Sequence, residues 1–150
     1  MNTTGISTSF NTLRYITKRL TDMQASALTT AIENISSEDF NKLDQDVIQI
    51  TNCKFLLESI IKSKWEELDG DRLTSSIEHI TDRLNQLEQY FNHAPEEDHF
   101  ELKPSLFAVS NDLFELKRKL HVLEHQNTDF ELPAEVATLL LRFKFINTDN

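Results

Sequence analysis

Leu106, Val109, Leu113, Leu116, Leu120 and Leu123 recur at gaps of three and four residues. Only a helix brings such positions onto one side, so this spacing predicts an amphipathic helix with a leucine-rich seam. The same stretch carries a second row, Phe107, Phe114 and His121, spaced by sevens. Each helical residue turns about 100°, which sets this row roughly 100° round from the first. Ser110 and Lys117 run between the two rows. One apolar stripe serves a helix in a simple bundle; two stripes predict two different neighbours.

The spacing recurs in the rest of the chain. Phe10, Leu13, Ile16, Leu20, Met23, Ala27 and Ala31 form the stripe of a first helix over about 10–34, with Ser9 as a candidate cap. A second helix over about 38–68 has its stripe at Phe40, Leu43, Val47, Ile50, Leu57, Ile61 and Leu68. Ser36 and Ser37 before Glu38 and Asp39 supply capping oxygens and first-turn negative charge. Cys53, Leu56, Ile60 and Trp65 widen that stripe, while Ile48 and Phe55, seven apart, point the opposite way.

Asp69-Gly70-Asp71 reads as the next junction, with Gly70 suited to a left-handed helix end and Asp71 to an N-cap. Leu73, Ile77, Ile80, Leu84, Leu87 and Phe91 then define a third helix over about 72–92. Residues 93–103 read as the longest break, with Pro95 ending one helix and Pro104 opening the fourth, which continues to about Gln126. Asn127–Leu132 reads as a turn. A short fifth helix is expected from Pro133 to about Phe145, with Val136, Leu139, Leu140 and Phe143 on one face; its last five residues, 141–145, fit an extended strand equally well.

Short turns between long amphipathic helices make antiparallel neighbours. The expected fold is all-α: an antiparallel up-down-up-down four-helix bundle with a short C-terminal fifth helix. Residues 1–9 read as a flexible lead-in and 10–150 as a single helical-bundle domain, long enough at 150 residues to bury its own core. Two glycines and three prolines leave little material for strand turns or Gly-rich loops.

Charge and composition exclude several functions. With 25 acidic against 15 basic residues the net charge is −10, which repels phosphate backbones and anionic lipid surfaces. Neither nucleic acid nor a membrane is therefore an expected partner. No apolar run reaches the ~20 residues that span a bilayer, and the polar N-terminus has no signal-peptide pattern. Cytoplasmic residence is the expectation, compatible also with export by a signal-less route. The single cysteine, Cys53, excludes an intramolecular disulfide or a cysteine-pair metal site.

Candidates for chemistry are few. His121 and His125 stand one helical turn apart, a spacing that places two imidazoles together for zinc, iron or copper. Metal sites in bundles draw further ligands from facing helices, and the first two helices hold no histidine. Glu96 and His99 have Glu-x-x-His spacing beside Pro95. Trp65, between Lys62, Lys64 and the acids at 66, 67 and 69, has the surroundings of a stacking platform, though a lone Trp at a helix end more commonly closes a core. Lys117-Arg118-Lys119 amid excess acid reads as a solvated face. Nucleotide-binding glycine motifs and hydrolase signatures are missing. No cofactor, no metal and no catalytic residue is expected.

The apolar outliers remain. Ile48 and Phe55 on the second helix, with Phe107 and Phe114 on the fourth, sit off the seams and form a candidate protein interface. Burying each Phe is worth roughly 1.5–3 kcal/mol, so leaving them in water is costly. The fifth helix, folded back on the fourth, is expected to cover Phe107 and Phe114; a homodimer is the other sink. The expected function is non-enzymatic protein binding, as an adaptor, chaperone, immunity or regulatory protein holding a partner's helix or basic segment. The alternative is a ligand- or metal-sensing bundle that uses His121 and His125.

Overall fold

The computed structural model describes the backbone of residues 3–33 and 37–142 and the side chains of 4–29 and 45–141. Among these, the elements in order are β1 (Thr3–Thr8), α1 (Phe10–Glu33), α2 (Ser37–Glu67), α3 (Gly70–His93), a single 3-10 turn (Glu96–Asp98), α4 (His99–His125), β2 (Thr128–Pro133) and α5 (Ala134–Arg142). Five helices dominate, as the stripes predict, and one small sheet is added to them. The chain divides into two compact units: Met1–Lys64 with His125–Asn150, and Trp65–Glu124.

The first unit begins where a loose lead-in was expected. Residues 3–8 are a strand paired antiparallel with 128–133, in a register that sets Ile6 opposite Phe130 and Thr4 opposite Leu132. Threonine-rich segments suit the pleated backbone, and alternation turns one face inward. Ile6, Phe130 and Leu132 are buried accordingly. The turn expected at Asn127–Leu132 is therefore largely β2, whose Phe130 and Leu132 alternate with exposed Asp129 and Glu131.

Ser9 then caps α1 as predicted. Its Oγ accepts from the Thr12 N–H at 3.1 Å, and its carbonyl accepts the first helical bond from Leu13. Phe10, Leu13, Ile16 and Leu20 are buried, as are Val47, Ile50, Cys53, Leu57 and Ile61 along α2. Threonines, poor helix formers, return their hydroxyls to carbonyls one turn back, as Thr17 does to Leu13 and Thr51 to Val47. Thr51 Oγ1 also accepts from Gln24 Nε2 at 2.7 Å, tying α1 to α2. The stripe positions Ala31, Phe40, Leu43 and Phe143, the caps around Ser36, and 143–145 of the alternative strand lie outside the described side chains or backbone, while 141–142 of it are helical, at the end of α5.

Helix α5 closes this core. Val136, Ala137, Leu139 and Leu140 are buried, and the helix lies against β1 and β2. The Cys53 thiol points at the Glu135 carbonyl, 3.8 Å away. Phe107 and Phe114, which the fifth helix was expected to cover, are exposed, and α5 lies instead against β1 and β2.

In the second unit, α3 opens two residues earlier than expected, at Gly70 with Asp69 as its N-cap. Asp69, not Gly70, takes the left-handed conformation, at φ 59 and ψ 29, and no glycine has positive φ among the described residues. Aspartate tolerates that region. Gly70 is required for another reason: a Cβ there would overlap the indole of Trp65. The break expected through 103 also ends early. Pro95 starts the 3-10 turn, Asp98 N–H donates to the Pro95 carbonyl at 2.9 Å, and α4 follows from His99 with Pro104 inside it. Acidic residues at Glu96–Asp98 and Glu101 favour a helix N-terminus here, and near the first turns a proline removes a single backbone bond.

Candidate protein-docking surface

Helices α3 and α4 follow one another on either side of the 3-10 turn and share a groove. The Phe91 ring stacks on His99 across the turn, centroids 4.1 Å apart. Beyond that contact, Leu84 and Glu88 of α3 share a groove with Phe100, Lys103, Pro104, Leu106, Phe107 and Ser110 of α4. The groove has a volume of about 630 Å³ and opens to solvent.

Two helices alone cannot close a core. Leu113 and Gly70 are the buried residues among the described side chains of this unit, while the seam positions Leu73, Ile77, Leu84, Leu106, Leu116 and Leu120 are half-buried. The first unit differs, with stripes sealed by β1, β2 and α5.

Beside the α4 seam runs the aromatic row. Phe107 is 76% exposed and Phe114 63%. Because α4 starts at His99 rather than at Pro104, the row gains Phe100, which is 84% exposed. Placing Phe100 in the break hid it, although its spacing of seven from Phe107 was the available signal. Three phenylalanines thus line one edge of α4 over four turns of helix. Monomeric proteins rarely leave contiguous apolar surface of this kind in water.

Ile48 and Phe55, the other outlier pair, lie on α2 of the first unit and are 53% and 66% exposed. They are two residues rather than a row.

Charge is distributed unevenly along α4. Glu96, Glu97, Asp98 and Glu101 cluster at its beginning, whereas Lys117, Arg118 and Lys119 cluster towards its end. Arg118 also pairs with Glu115 at 3.0 Å. The 65–124 unit holds 14 acidic and six basic residues, so most of the net charge of −10 resides in it.

The remaining candidates converge on no chemistry. His121 and His125 are exposed, and among the described residues no group of three or more His, Cys, Asp or Glu side chains is placed to hold a metal. His99 of the Glu-x-x-His pair is engaged with Phe91 and with the Ala94 carbonyl at 3.1 Å. Trp65 is half-buried over Gly70. Burial first, and the nearby Glu135 carboxylate second, raise the pKa of Cys53 above its ordinary value and hold it as a thiol, the unreactive form. Among the described residues, no helix is long and apolar enough to cross a membrane. No protein-family model, curated protein or solved structure matches the chain.

Proposed function

We propose that this protein is a non-enzymatic binding module that holds a helix of a protein partner against α4. The observation that carries the proposal is the row Phe100, Phe107 and Phe114, exposed at heptad spacing beside a groove shared with α3. A helix laid in such a groove offers its own side chains at i, i+3 or i+4 and i+7, the spacing at which the phenylalanines recur. It would complete the half-buried seams of α3 and α4 as well as cover the row. An adaptor, chaperone, immunity or regulatory role fits such a module, since each works by sequestering or presenting another chain.

Two further features support binding over catalysis. The groove between α3 and α4 is apolar and open, with Lys103 and Glu88 among its exposed lining residues. The one described pKa displacement, that of Cys53, arises in the core of the other unit and makes the thiol less reactive.

The test compares Phe107→Glu with the wild type in two measurements: capture of a partner by affinity purification from the native host, and thermal unfolding. The expected result is loss of the captured protein with the chain still helical and unfolding cooperatively. Capture that survives Phe107→Glu and Phe114→Glu together would contradict the proposal, and so would loss of helical structure in Phe107→Glu, which would make the ring part of the protein's own core.

A further inference from the structure

We infer that the helix docked on α4 is α4 of a second copy of this chain, running antiparallel about a two-fold axis at Phe107. This rests on the docking role proposed above and names its occupant. Two patterns, one on α4 and one spanning α4 and the 3-10 turn before it, have nearly the same centre. The first is aromatic: Phe100 and Phe114 stand seven residues to either side of Phe107. A two-fold axis at Phe107 therefore sets Phe107 on its own copy and Phe100 on the second copy's Phe114, twice over. A two-fold interface has to be self-complementary in this way.

The second pattern is charge. The acidic group Glu96–Asp98, in the 3-10 turn before α4, and the basic group Lys117–Lys119 are centred ten and eleven residues from Phe107. The register that superposes the rings brings Glu96 and Glu97 opposite the second copy's Arg118 and Lys117. A parallel arrangement would set acid on acid and base on base, which is strongly disfavoured across an interface. An arbitrary partner would need neither pattern to be symmetric about Phe107; a second copy needs both.

Size is consistent with this occupant. At roughly 150–250 Å² for each buried aromatic side chain, six phenylalanines that are each largely exposed supply close to the area of the smallest specific interfaces, before the flanking leucines are counted. Joining two α3–α4 pairs also makes a four-helix bundle, in which the half-buried stripes of α3 and α4 gain a second layer.

Light scattering after size exclusion, at micromolar concentration and low salt, tests the inference on the full chain. The expected mass is twice 17.4 kDa. Phe107→Glu should return it to that of one chain with the helical circular dichroism unchanged. Lys117→Glu with Arg118→Glu should weaken self-association about tenfold or more, and adding Glu96→Lys and Glu97→Lys to that variant should restore it. A single-chain mass at every concentration overturns the inference, as does a dimer indifferent to Phe107→Glu or a charge reversal without rescue. The docking role then stands or falls separately, on whether Phe107→Glu abolishes capture of a different protein.

Discussion

The ring of Phe10 meets that of Phe130 edge to face, with centroids 5.2 Å apart and planes at 83°. One residue opens α1 and the other lies in β2, so the contact joins segments far apart in sequence, and Arg14 lies 5.8 Å over the Phe10 ring. Both rings are buried, with Ile6 beside them in the sheet. Replacing Phe130 by Ala removes the edge contact and leaves a cavity, at a cost of about 3–5 kcal/mol. Urea unfolding followed by circular dichroism should show a correspondingly lower midpoint. Deleting residues 1–8 should lower it too, because β1 then no longer pairs β2; an unchanged midpoint would mean that the strand contributes nothing.

Gly70 and Trp65 are the equivalent pair in the second unit. Gly70→Ala forces a methyl group into the indole and should destabilise by about 1–3 kcal/mol, the usual range for overpacking. Trp65 is the single tryptophan, so its fluorescence reports on this contact alone. The emission maximum is expected to shift in Gly70→Ala. In a Trp65→Ala background the same glycine change should cost little.

Cys53 gives the fold an alkaline limit. Its pKa in the folded chain is raised, so the folded state holds the proton more tightly than the unfolded state does. That contribution is complete below the ordinary pKa of 9.0 and is lost as pH climbs from there through the raised folded value. Melting temperature should therefore fall with pH in this window, and the fall should be shallower in Cys53→Ala. The native thiol is also expected to react with a thiol reagent far more slowly than the unfolded chain does.

Phe55 provides the contrasting surface position. It lies on the outward side of α2, away from Val47, Ile50, Cys53 and Leu57, and Phe55→Glu should leave stability within about 0.5 kcal/mol of wild type. Chemical denaturation measures this directly. A loss of several kcal/mol would show that the ring is covered in solution.

Local signals in the sequence carried much of this arrangement. The stripe Phe10–Leu20, its Ser9 cap and the buried side of α2 follow from spacing and hydrogen-bonding chemistry within a few residues. Pairing of β1 with β2 does not, because Thr3–Thr8 and Thr128–Pro133 are short and register is decided between segments that are distant along the chain. The alternation of Phe130 and Leu132 was the one local hint of a strand. For α5, the stripe Val136, Leu139 and Leu140 identifies the buried face but not what buries it, and the sheet directs it onto the first unit's core. At the candidate surface, Phe107 and Phe114 were visible as a row, whereas Phe100 was hidden by reading Pro104 as a helix start.

Register across the proposed two-fold is the feature to measure. In a Cys53→Ala background, single cysteines at 100, 107 and 114 report which residues meet, since a disulfide forms only when the two β-carbons approach within about 4.5 Å. Under mild oxidation Phe107→Cys should link to itself. Phe100→Cys and Phe114→Cys should each stay unlinked alone and link when mixed. Self-linking of Phe100→Cys or of Phe114→Cys, or no linking in any combination, would contradict an antiparallel pairing of α4 centred on Phe107.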